Sequence, residues 1–232
     1  MPPDKRPLGR RLVAEGLGSF YLFATVIGSG IMAGALAQGN DAVALIGNTA
    51  ATGAILFVLI TMLGPISGAQ MNPAVSLVAA SRGELKWGGA AAYIGVQLAF
   101  GIAGALAAHA MFDLPVLQVS DKARTGSGQW LGEAIATFGL VLTIWGTLKH
   151  RPKAVPASVA LYITAAYWFT SSTSFANPAI TVARSLTDSF SGIAPGDAPG
   201  FIIAQLVGAA LAALVVRGLF DDRVGDEAMP LR

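Results

Sequence analysis

The sequence contains no cysteine, and charged residues make up only 12% of its 232 positions. Without cysteine, disulfides, thiolate metal sites and cysteine nucleophiles are all excluded. The charged fraction is about half of that usual in soluble domains, and a soluble chain needs polar side chains to cover its surface. The formal net charge of +2 is small, so the composition does not indicate a nucleic-acid partner.

Apolar residues make up 54% of the chain and form long runs between short charged clusters. One helical span across a bilayer needs roughly 20 such residues. The runs predict six membrane-spanning helices, at 12–36, 42–63, 87–112, 130–148, 155–170 and 201–219. We therefore interpret the chain as an all-α membrane protein in contact with the lipid bilayer, and not as a soluble protein with an apolar core.

The first apolar run follows a basic segment and ends near Ala35-Leu36-Ala37, which resembles a signal-peptidase site. Its length of about 25 residues exceeds the roughly 7–15 of a signal-peptide core. We therefore expect this run to be retained as a membrane span.

Two further apolar segments, 72–80 and 177–186, are too short to cross a bilayer, and each begins with Asn-Pro-Ala. Asn is a favoured N-cap and Pro is favoured at the first helical position, so each motif predicts the start of a short helix. Irregular backbone at membrane depth survives only where it is buried in protein or lines a water-filled cavity. We predict two re-entrant half-helices that meet at the centre of a pore.

Landmarks of the first half of the chain recur in the same order in the second half. The pairs are Glu15 and Glu133, Asn72-Pro73-Ala74 and Asn177-Pro178-Ala179, and Gln97 and Gln205. Because each copy holds three spans, the second copy is inverted in the membrane, with the site near the midplane. We predict one transmembrane domain over 1–232, with repeats at about 10–112 and 129–220 joined by a loop at 113–128.

The distribution of basic residues predicts the orientation in the membrane. If the N-terminus is cytoplasmic, the outer side holds only 3 of the 15 basic residues, namely Lys122, Arg124 and Arg184. The inner side holds Lys5, Arg6, Arg10, Arg11, Arg82, Lys86, Lys149, Arg151, Lys153, Arg217, Arg223 and Arg232. The positive-inside rule then predicts that both termini are cytoplasmic.

The paired half-helices also predict an electrostatic barrier. Each helix N-terminus carries about half a positive elementary charge, and two that face one point disfavour cations and proton-bearing water chains. The N-cap uses the carbonyl oxygen of each Asn side chain, so the NH₂ donors are expected to face the lumen. The predicted central constriction comprises Asn72, Pro73, Ala74, Asn177, Pro178 and Ala179.

Glu15 and Glu133 lie within apolar spans, where a carboxylate is costly and functional by default. One interpretation is a proton relay. The other, which the repeat favours, is that each carboxylate accepts hydrogen bonds from the backbone of its re-entrant loop. Gln97 and Gln205 are interpreted as ties between helices rather than as pore donors.

The sequence shows no catalytic grouping. His109 and His150 have no partner at metal-ligand spacing, and no Ser/His/Asp arrangement is present. We therefore predict no metal site, no cofactor and no enzymatic activity. An ion-coupled transporter would need ionisable groups at the midplane, for which Glu15 and Glu133 are the candidates.

The stretches SGAQMNPAV at 67–75 and SFANPA at 174–179 occupy equivalent places in the two halves. With them the chain resembles the major intrinsic protein family, the aquaporins and glycerol facilitators, over essentially all of residues 10–220. The resemblance implies a passive channel for small neutral solutes in the cell (inner) membrane. It also implies a homotetramer with one pore in each subunit.

The same resemblance implies a selectivity filter formed by Thr52, Ala165, Ser174 and Ile180. Water-selective relatives usually have a bulky aromatic residue, a His and an Arg among these positions, and this chain has none of them. The departure implies a wider and less polar opening for polyols, urea-like amides or metalloid hydroxides such as arsenous acid. In this the chain is similar to bacterial aquaporin-like proteins linked to arsenic resistance, and a water-selective aquaporin is the alternative.

Arg184 lies one helical turn beyond Ile180, on roughly the same helix face. Two interpretations remain open. The side chain either reaches the outer vestibule of the pore or compensates the negative dipole end of its half-helix.

Overall fold

The computed structural model describes residues 6–220, which form helices joined by loops and contain no strand. The helices are α1 (Leu8–Leu36), α2 (Asp41–Ser67), α3 (Pro73–Ser81), α4 (Trp87–Met111), α5 (Ser127–His150), α6 (Val155–Phe169), α7 (Pro178–Arg184) and α8 (Ala198–Phe220). Lys5, Arg223 and Arg232, which belong to the predicted cytoplasmic set, lie outside the described residues.

Five helices, α1, α2, α4, α5 and α8, are long and apolar enough to cross a bilayer. The remaining predicted span corresponds to α6, which has only 15 residues, or about 22 Å at 1.5 Å per residue. A turn of 3₁₀-helix, Pro152–Ala154, precedes α6 and extends it on one side. The arrangement is the predicted one of six spans and two half-helices.

The packing of the helices follows the inverted repeat. α1 packs on α2 and α4, as α5 packs on α6 and α8. The half-helix α3 contacts α4 and α8, and α7 contacts α8 and α4. At the centre α2 meets α6, and α3 meets α7. Exchanging the first four helices with the last four therefore reproduces the same packing.

Glycines allow the spans around the centre to approach closely. A Cβ atom on Gly104 of α4 would overlap with the carbonyl oxygen of Phe20 in α1. A Cβ atom on Gly208 of α8 would likewise overlap with the carbonyl oxygen of Ala134 in α5. Small residues at helix crossings provide this kind of close packing in membranes.

The outer surface of the bundle is apolar, with exposed large side chains that include Phe57, Val58, Met62, Leu161 and Leu214. The polar side chains are concentrated inside, where both intramembrane glutamates and Gln97 and Gln205 are fully buried. This distribution is suited to lipid outside and a polar pathway inside.

Candidate functional site

The half-helices α3 and α7 begin next to each other in the middle of the protein, and each is capped by an asparagine. The side-chain oxygen of Asn72 accepts a hydrogen bond from the backbone N–H of Ala74 at 2.9 Å. The side-chain oxygen of Asn177 accepts from the backbone N–H groups of Ala179 at 3.0 Å and Ile180 at 3.3 Å. Both helices then start at the proline of the motif.

The two asparagines also tie the half-helices to each other. Nδ2 of Asn72 donates to the carbonyl oxygen of Ala176 at 2.7 Å, and Nδ2 of Asn177 donates to that of Met71 at 2.8 Å. Each NH₂ carries two hydrogens, so one remains for the lumen, which both asparagines border. Sequence reasoning predicted the lumen donors but missed this cross-tie, since it depends on the loop of the other repeat.

The carboxylate of Glu15 supports the first re-entrant loop. Its Oε1 accepts from the hydroxyl of Ser67 at 2.7 Å and the backbone N–H of Gln70 at 2.9 Å. Its Oε2 accepts from the backbone N–H of Met71 at 2.6 Å and from Nε2 of Gln97 at 2.9 Å. Four donors therefore surround one buried carboxylate.

Glu133 has the equivalent place in the second loop. Its two oxygens accept from the backbone N–H groups of Phe175 and Ala176, each at 2.8 Å. Nε2 of Gln205 donates to this carboxylate at 2.6 Å and to the hydroxyl of Thr181 in α7 at 2.9 Å. Neither of the two intramembrane carboxylates borders the central cavity. The geometry fits loop support, and it lacks the exposure to the lumen that a proton relay requires.

The loop backbone has left-handed conformations at matched positions. The φ angles are +47° at Ala69 and +46° at Met71 in the first loop, and +48° at both Ser174 and Ala176 in the second. Each such conformation costs roughly 1–2 kcal/mol for a residue other than glycine. The hydrogen bonds to the buried carboxylates hold the two loops in this shape against that cost.

A cavity passes the junction of the half-helices and continues toward both faces of the membrane. We call the face at which α1 begins and α8 ends the inner side, and the opposite face the outer side. The inner part of the wall is mostly apolar and includes Val75, Ala79, Leu140, Ile144, Leu148, Val155 and Val159. The outer part is mixed and includes Leu22, Val26, Thr52, Tyr167, Ser174, Phe175, Ile180 and Arg184.

Three of the four predicted filter residues, Thr52, Ser174 and Ile180, border the cavity. The fourth, Ala165, does not, because its side chain is exposed on the surface of α6. Tyr167 borders the cavity instead, and its hydroxyl lies 3.3 Å from that of Thr52. Two residues along a helix rotate a side chain by about 200°, which accounts for the correction from Ala165 to Tyr167.

The wall at this level carries one free hydroxyl. The Ser174 side chain is 2% exposed and its Oγ has no hydrogen-bond partner among the described residues. Ser174 borders the cavity, so this unpartnered and buried hydroxyl lies in the wall of the outer part of the cavity.

Arg184 also borders the cavity, although the sequence left its position open. Its side chain is 2% exposed, its Nε donates to the carbonyl oxygen of Ser191, and its guanidinium lies 3.4 Å from the centre of the Phe175 ring. A second guanidinium, that of Arg124, lies 5.2 Å from the same ring. The opening is therefore more polar and bulkier than the four predicted filter residues alone imply.

The inner mouth has an acidic group instead. Glu84 accepts hydrogen bonds from Nε of Arg82 at 2.8 Å and from Nε1 of Trp145 at 2.9 Å. Both Glu84 and Trp145 border the cavity. The carboxylate at the inner mouth is thus neutralised by an ion pair with Arg82, whereas no carboxylate among the described residues pairs with the Arg184 guanidinium at the outer end.

Within residues 6–220 no group of three His, Cys, Asp or Glu side chains could hold a metal ion. His109 is buried, and its Nδ1 lies 2.8 Å from the carbonyl oxygen of Val116. This histidine therefore anchors the connecting loop to α4.

Two Asn-capped half-helices, meeting at the centre of an inverted repeat with a cavity along them, define a membrane channel. The chain belongs to the major intrinsic protein family, whose sequence profile matches residues 4–172 and 153–230. It is 59% identical over 212 residues to aquaglyceroporin AqpS of Rhizobium meliloti (strain 1021), covering 91% of each chain. Aquaporin NIP6-1 of Arabidopsis thaliana is 34% identical over 114 residues, covering 49% of this chain and 36% of that protein.

The fold is also that of a solved aquaglyceroporin from Plasmodium falciparum, with a TM-score of 0.73 over 92% of this chain and 97% of that chain. At 18% identity this likeness concerns the fold alone. Family membership confirms the prediction of a passive channel for small solutes and excludes the enzymatic and ion-coupled alternatives.

Proposed function

We propose that this channel conducts neutral solutes larger than water, with glycerol-like polyols as the favoured class. The observation that carries the proposal is the mixed wall of the outer cavity. Apolar side chains of Leu22, Val26 and Ile180 share this section with the hydroxyls of Tyr167 and Ser174. A polyol has a hydrocarbon side and a row of hydroxyls, and such a wall can contact both at once.

The name of the relative in Rhizobium meliloti supports the same class, since that protein is called an aquaglyceroporin and is 59% identical to this chain. Urea-like amides and uncharged metalloid hydroxides such as arsenous acid present similar donors and acceptors on a small neutral body. We include them among the proposed solutes.

In this proposal Asn72 and Asn177 form the central constriction. Each keeps one N–H for a passing solute while the other hydrogen bonds across the junction. The prolines and alanines of the two motifs, Pro73, Ala74, Pro178 and Ala179, build the first turns of the half-helices. The paired helix N-termini raise the electrostatic potential at this point and disfavour cations.

Stopped-flow uptake into proteoliposomes tests the solute class, with water, glycerol, urea and arsenous acid measured in parallel on one preparation. We expect all four rates to exceed those of protein-free liposomes, with glycerol well above background. Rapid water flux with glycerol at the protein-free rate would instead establish the water-selective alternative.

We further propose that both termini face the cytoplasm and that the protein resides in the inner membrane. The 12 to 3 division of the basic residues supports this orientation. Reporter fusions after Lys5 and after Arg223 should both be cytoplasmic, and a fusion near Arg124 should be outside. A cytoplasmic signal at Arg124 would contradict both this orientation and the repeat boundaries of about 10–112 and 129–220.

Finally, we propose a homotetramer with one pore in each subunit. The large apolar side chains exposed on the surface of the bundle can contact neighbouring subunits as well as lipid. Native mass spectrometry of the detergent-extracted protein should give four times the mass of the 23.7 kDa chain. A monomeric mass with full solute flux would refute the assembly while leaving the channel function intact.

A further inference from the structure

We propose that Arg184, held against the ring of Phe175, is the residue that excludes cations from the outer part of the cavity. The position that follows the second asparagine by three residues is Ile180, which carries no charge. Arg184, one helical turn further along α7, carries a positive charge and borders the same cavity.

The side-chain direction supports this placement. Side chains of an α-helix lean toward its N-terminus and cover the preceding turn. Because α7 begins at the centre of the pore and ends on the outer side, the Arg184 side chain leans inward, toward the level of Ile180. Both residues border the same cavity.

The guanidinium has a fixed orientation. Its Cζ lies 3.4 Å from the centre of the Phe175 ring, and its Nε donates to the carbonyl oxygen of Ser191. The hydroxyl of Ser191 in turn donates to the carbonyl oxygen of Val26 in α1 at 3.1 Å. Gly30 leaves room for this serine, since a Cβ atom there would overlap with its hydroxyl.

The two terminal nitrogens of Arg184 remain available to the lumen. Among residues 6–220 no acceptor other than Ser191 takes a hydrogen bond from this side chain, and no carboxylate lies within salt-bridge distance of it. Arg184 thus combines a full positive charge with two donor groups at the edge of the cavity.

The charged groups near Arg184 are two further basic side chains of the outer side and the buried carboxylate of Glu133. All three basic residues of the outer side, Lys122, Arg124 and Arg184, are close enough to influence one another. Burial, together with the charges of Arg124 and Arg184, lowers the pKa of the Lys122 ammonium. Arg124 is bound to the carbonyl oxygen of Gly192 at 2.8 Å and does not border the cavity. We therefore assign the barrier to Arg184 and a supporting field to Arg124.

Compensation of the helix dipole alone does not explain this geometry. A basic residue at the end of a half-helix can fulfil that role from a solvated position. Arg184 is instead 2% exposed, stacked on an aromatic ring and adjacent to the pathway. Burying a guanidinium without a carboxylate partner is costly, which favours a role in the lumen.

The absence of native cysteine provides a direct test, because Arg184→Cys introduces a single thiol. Its thiolate attacks a methanethiosulfonate reagent, forming a disulfide and releasing methanesulfinate. Aminoethyl, sulfonatoethyl and methyl reagents then place a positive, a negative or no charge at this position. The measurements are Na⁺ and proton leak across proteoliposomes, with glycerol uptake recorded on the same vesicles as evidence of an intact channel.

We expect Arg184→Cys to raise the cation leak by about tenfold or more, since a lumen charge acts through a short, poorly screened distance. The aminoethyl reagent should lower the leak again, the sulfonatoethyl reagent should raise it further, and the methyl reagent should leave it raised. Leu117→Cys, on an outer loop where the side chain is 83% exposed, is the matched control. It should react without changing any flux.

Three results would overturn the proposal: a leak in Arg184→Cys equal to that of the wild type, identical effects of the three reagents, or a thiol that no reagent reaches in a conducting channel.

If Arg184→Cys does not fold, Arg184→Lys is the second test, because a lysine keeps the positive charge but loses it when the pH is raised. Its cation leak should match the wild type at pH 7 and rise above it as the ammonium deprotonates toward pH 10. A leak that stays at the wild-type level throughout this range would equally refute the assignment.

Discussion

The two halves of the pore share one backbone design around the midplane. In each half a buried glutamate accepts hydrogen bonds from two consecutive backbone N–H groups of the re-entrant loop. In each half the asparagine caps its own half-helix and donates to the loop of the other half. The left-handed positions also coincide, with Ala69 and Met71 matching Ser174 and Ala176.

The halves differ in the side chains that this backbone presents to the lumen. Three residues after the asparagine the inner half has Val75 and the outer half has Ile180, and both side chains border the cavity. Seven residues after it the inner half has Ala79, whereas the outer half has Arg184. On the half-helices the side chains at the cavity are therefore small and apolar in the inner half, whereas the outer half has one that is charged.

The same contrast holds in the loops. The residue two before each asparagine donates its backbone N–H to the glutamate, but its side chain is Gln70 in the inner half and Phe175 in the outer half. The Arg184 guanidinium lies over the ring of Phe175. We infer that the shared backbone builds the pore and that selectivity resides in the few positions where the repeats have diverged.

The strongest test of the shared backbone is removal of each carboxylate. Glu15→Ala and Glu133→Ala leave buried backbone donors without acceptors, at about 1–3 kcal/mol each. We expect both variants to lose most of the folded protein, to similar extents, as measured by the monodisperse yield in size-exclusion chromatography. Glu84→Gln, which changes an acid at the inner mouth, should retain the yield. A normal yield from one of the two alanine variants would show that the loops are not equivalent.

Substitutions at the central junction should reduce conduction strongly but affect folding less than removal of either glutamate does. Asn72→Leu and Asn177→Leu each remove an N-cap worth about 1 kcal/mol, together with one cross-tie and one lumen donor. We expect folded protein with reduced glycerol and water uptake from each single variant, and a larger loss from the double variant. Wild-type flux from a folded double variant would mean that the pore lies elsewhere.

Exchanging side chains between the halves tests where selectivity resides. Ile180→Arg places a second guanidinium one turn from Arg184 and narrows the outer section. Uptake of glycerol and arsenous acid should then fall more than that of water. Val75→Arg makes the same change in the inner half and is the matched comparison. Unchanged glycerol and arsenous acid flux in Ile180→Arg would remove Ile180 from the constriction.

Much of the shared design was predictable from the sequence. Asn-Pro-Ala is a local helix-start signal, and its recurrence together with Glu15 and Glu133 indicates the inverted repeat from the sequence alone. The interpretation of the glutamates as loop supports relied on the same recurrence, because each loop requires one acceptor. These features were predictable because they are local or recur in the same order in both halves of the chain.

The diverged positions were harder to predict. Ala165 was selected by its spacing from Asn177, but Ala165 is exposed on the surface of α6 and Tyr167 borders the cavity instead. The guanidinium groups of Arg124 and Arg184 both lie over the Phe175 ring. Arg124 comes from the loop between the two repeats, so no periodic pattern encodes this arrangement. The one sequence signal for these arginines was that they are two of only three basic residues on the predicted outer side.

The smallest predicted effect concerns the hydroxyl of Ser174, which borders the cavity and has no partner among the described residues. Ser174→Ala removes this hydroxyl from the cavity wall without breaking any hydrogen bond of the side chain. The left-handed backbone tolerates alanine here, since Ala69 has the same conformation in the inner half, with φ of +47° against +48°. Stability should therefore change by less than about 0.5 kcal/mol.

Loss of one neutral hydrogen bond to a solute corresponds to about 0.5–1.5 kcal/mol, or roughly a twofold to tenfold reduction in glycerol uptake. Water uptake should change less, because a single-file water molecule can bond to its neighbours instead. Stopped-flow measurement of both rates on one preparation gives the ratio directly. Ala69→Ser, which adds a hydroxyl at the matched inner position, should leave the ratio near the wild-type value. If both variants changed the ratio equally, the outer section would hold no special place in polyol selection, and the contrast between the two halves would not extend to neutral solutes.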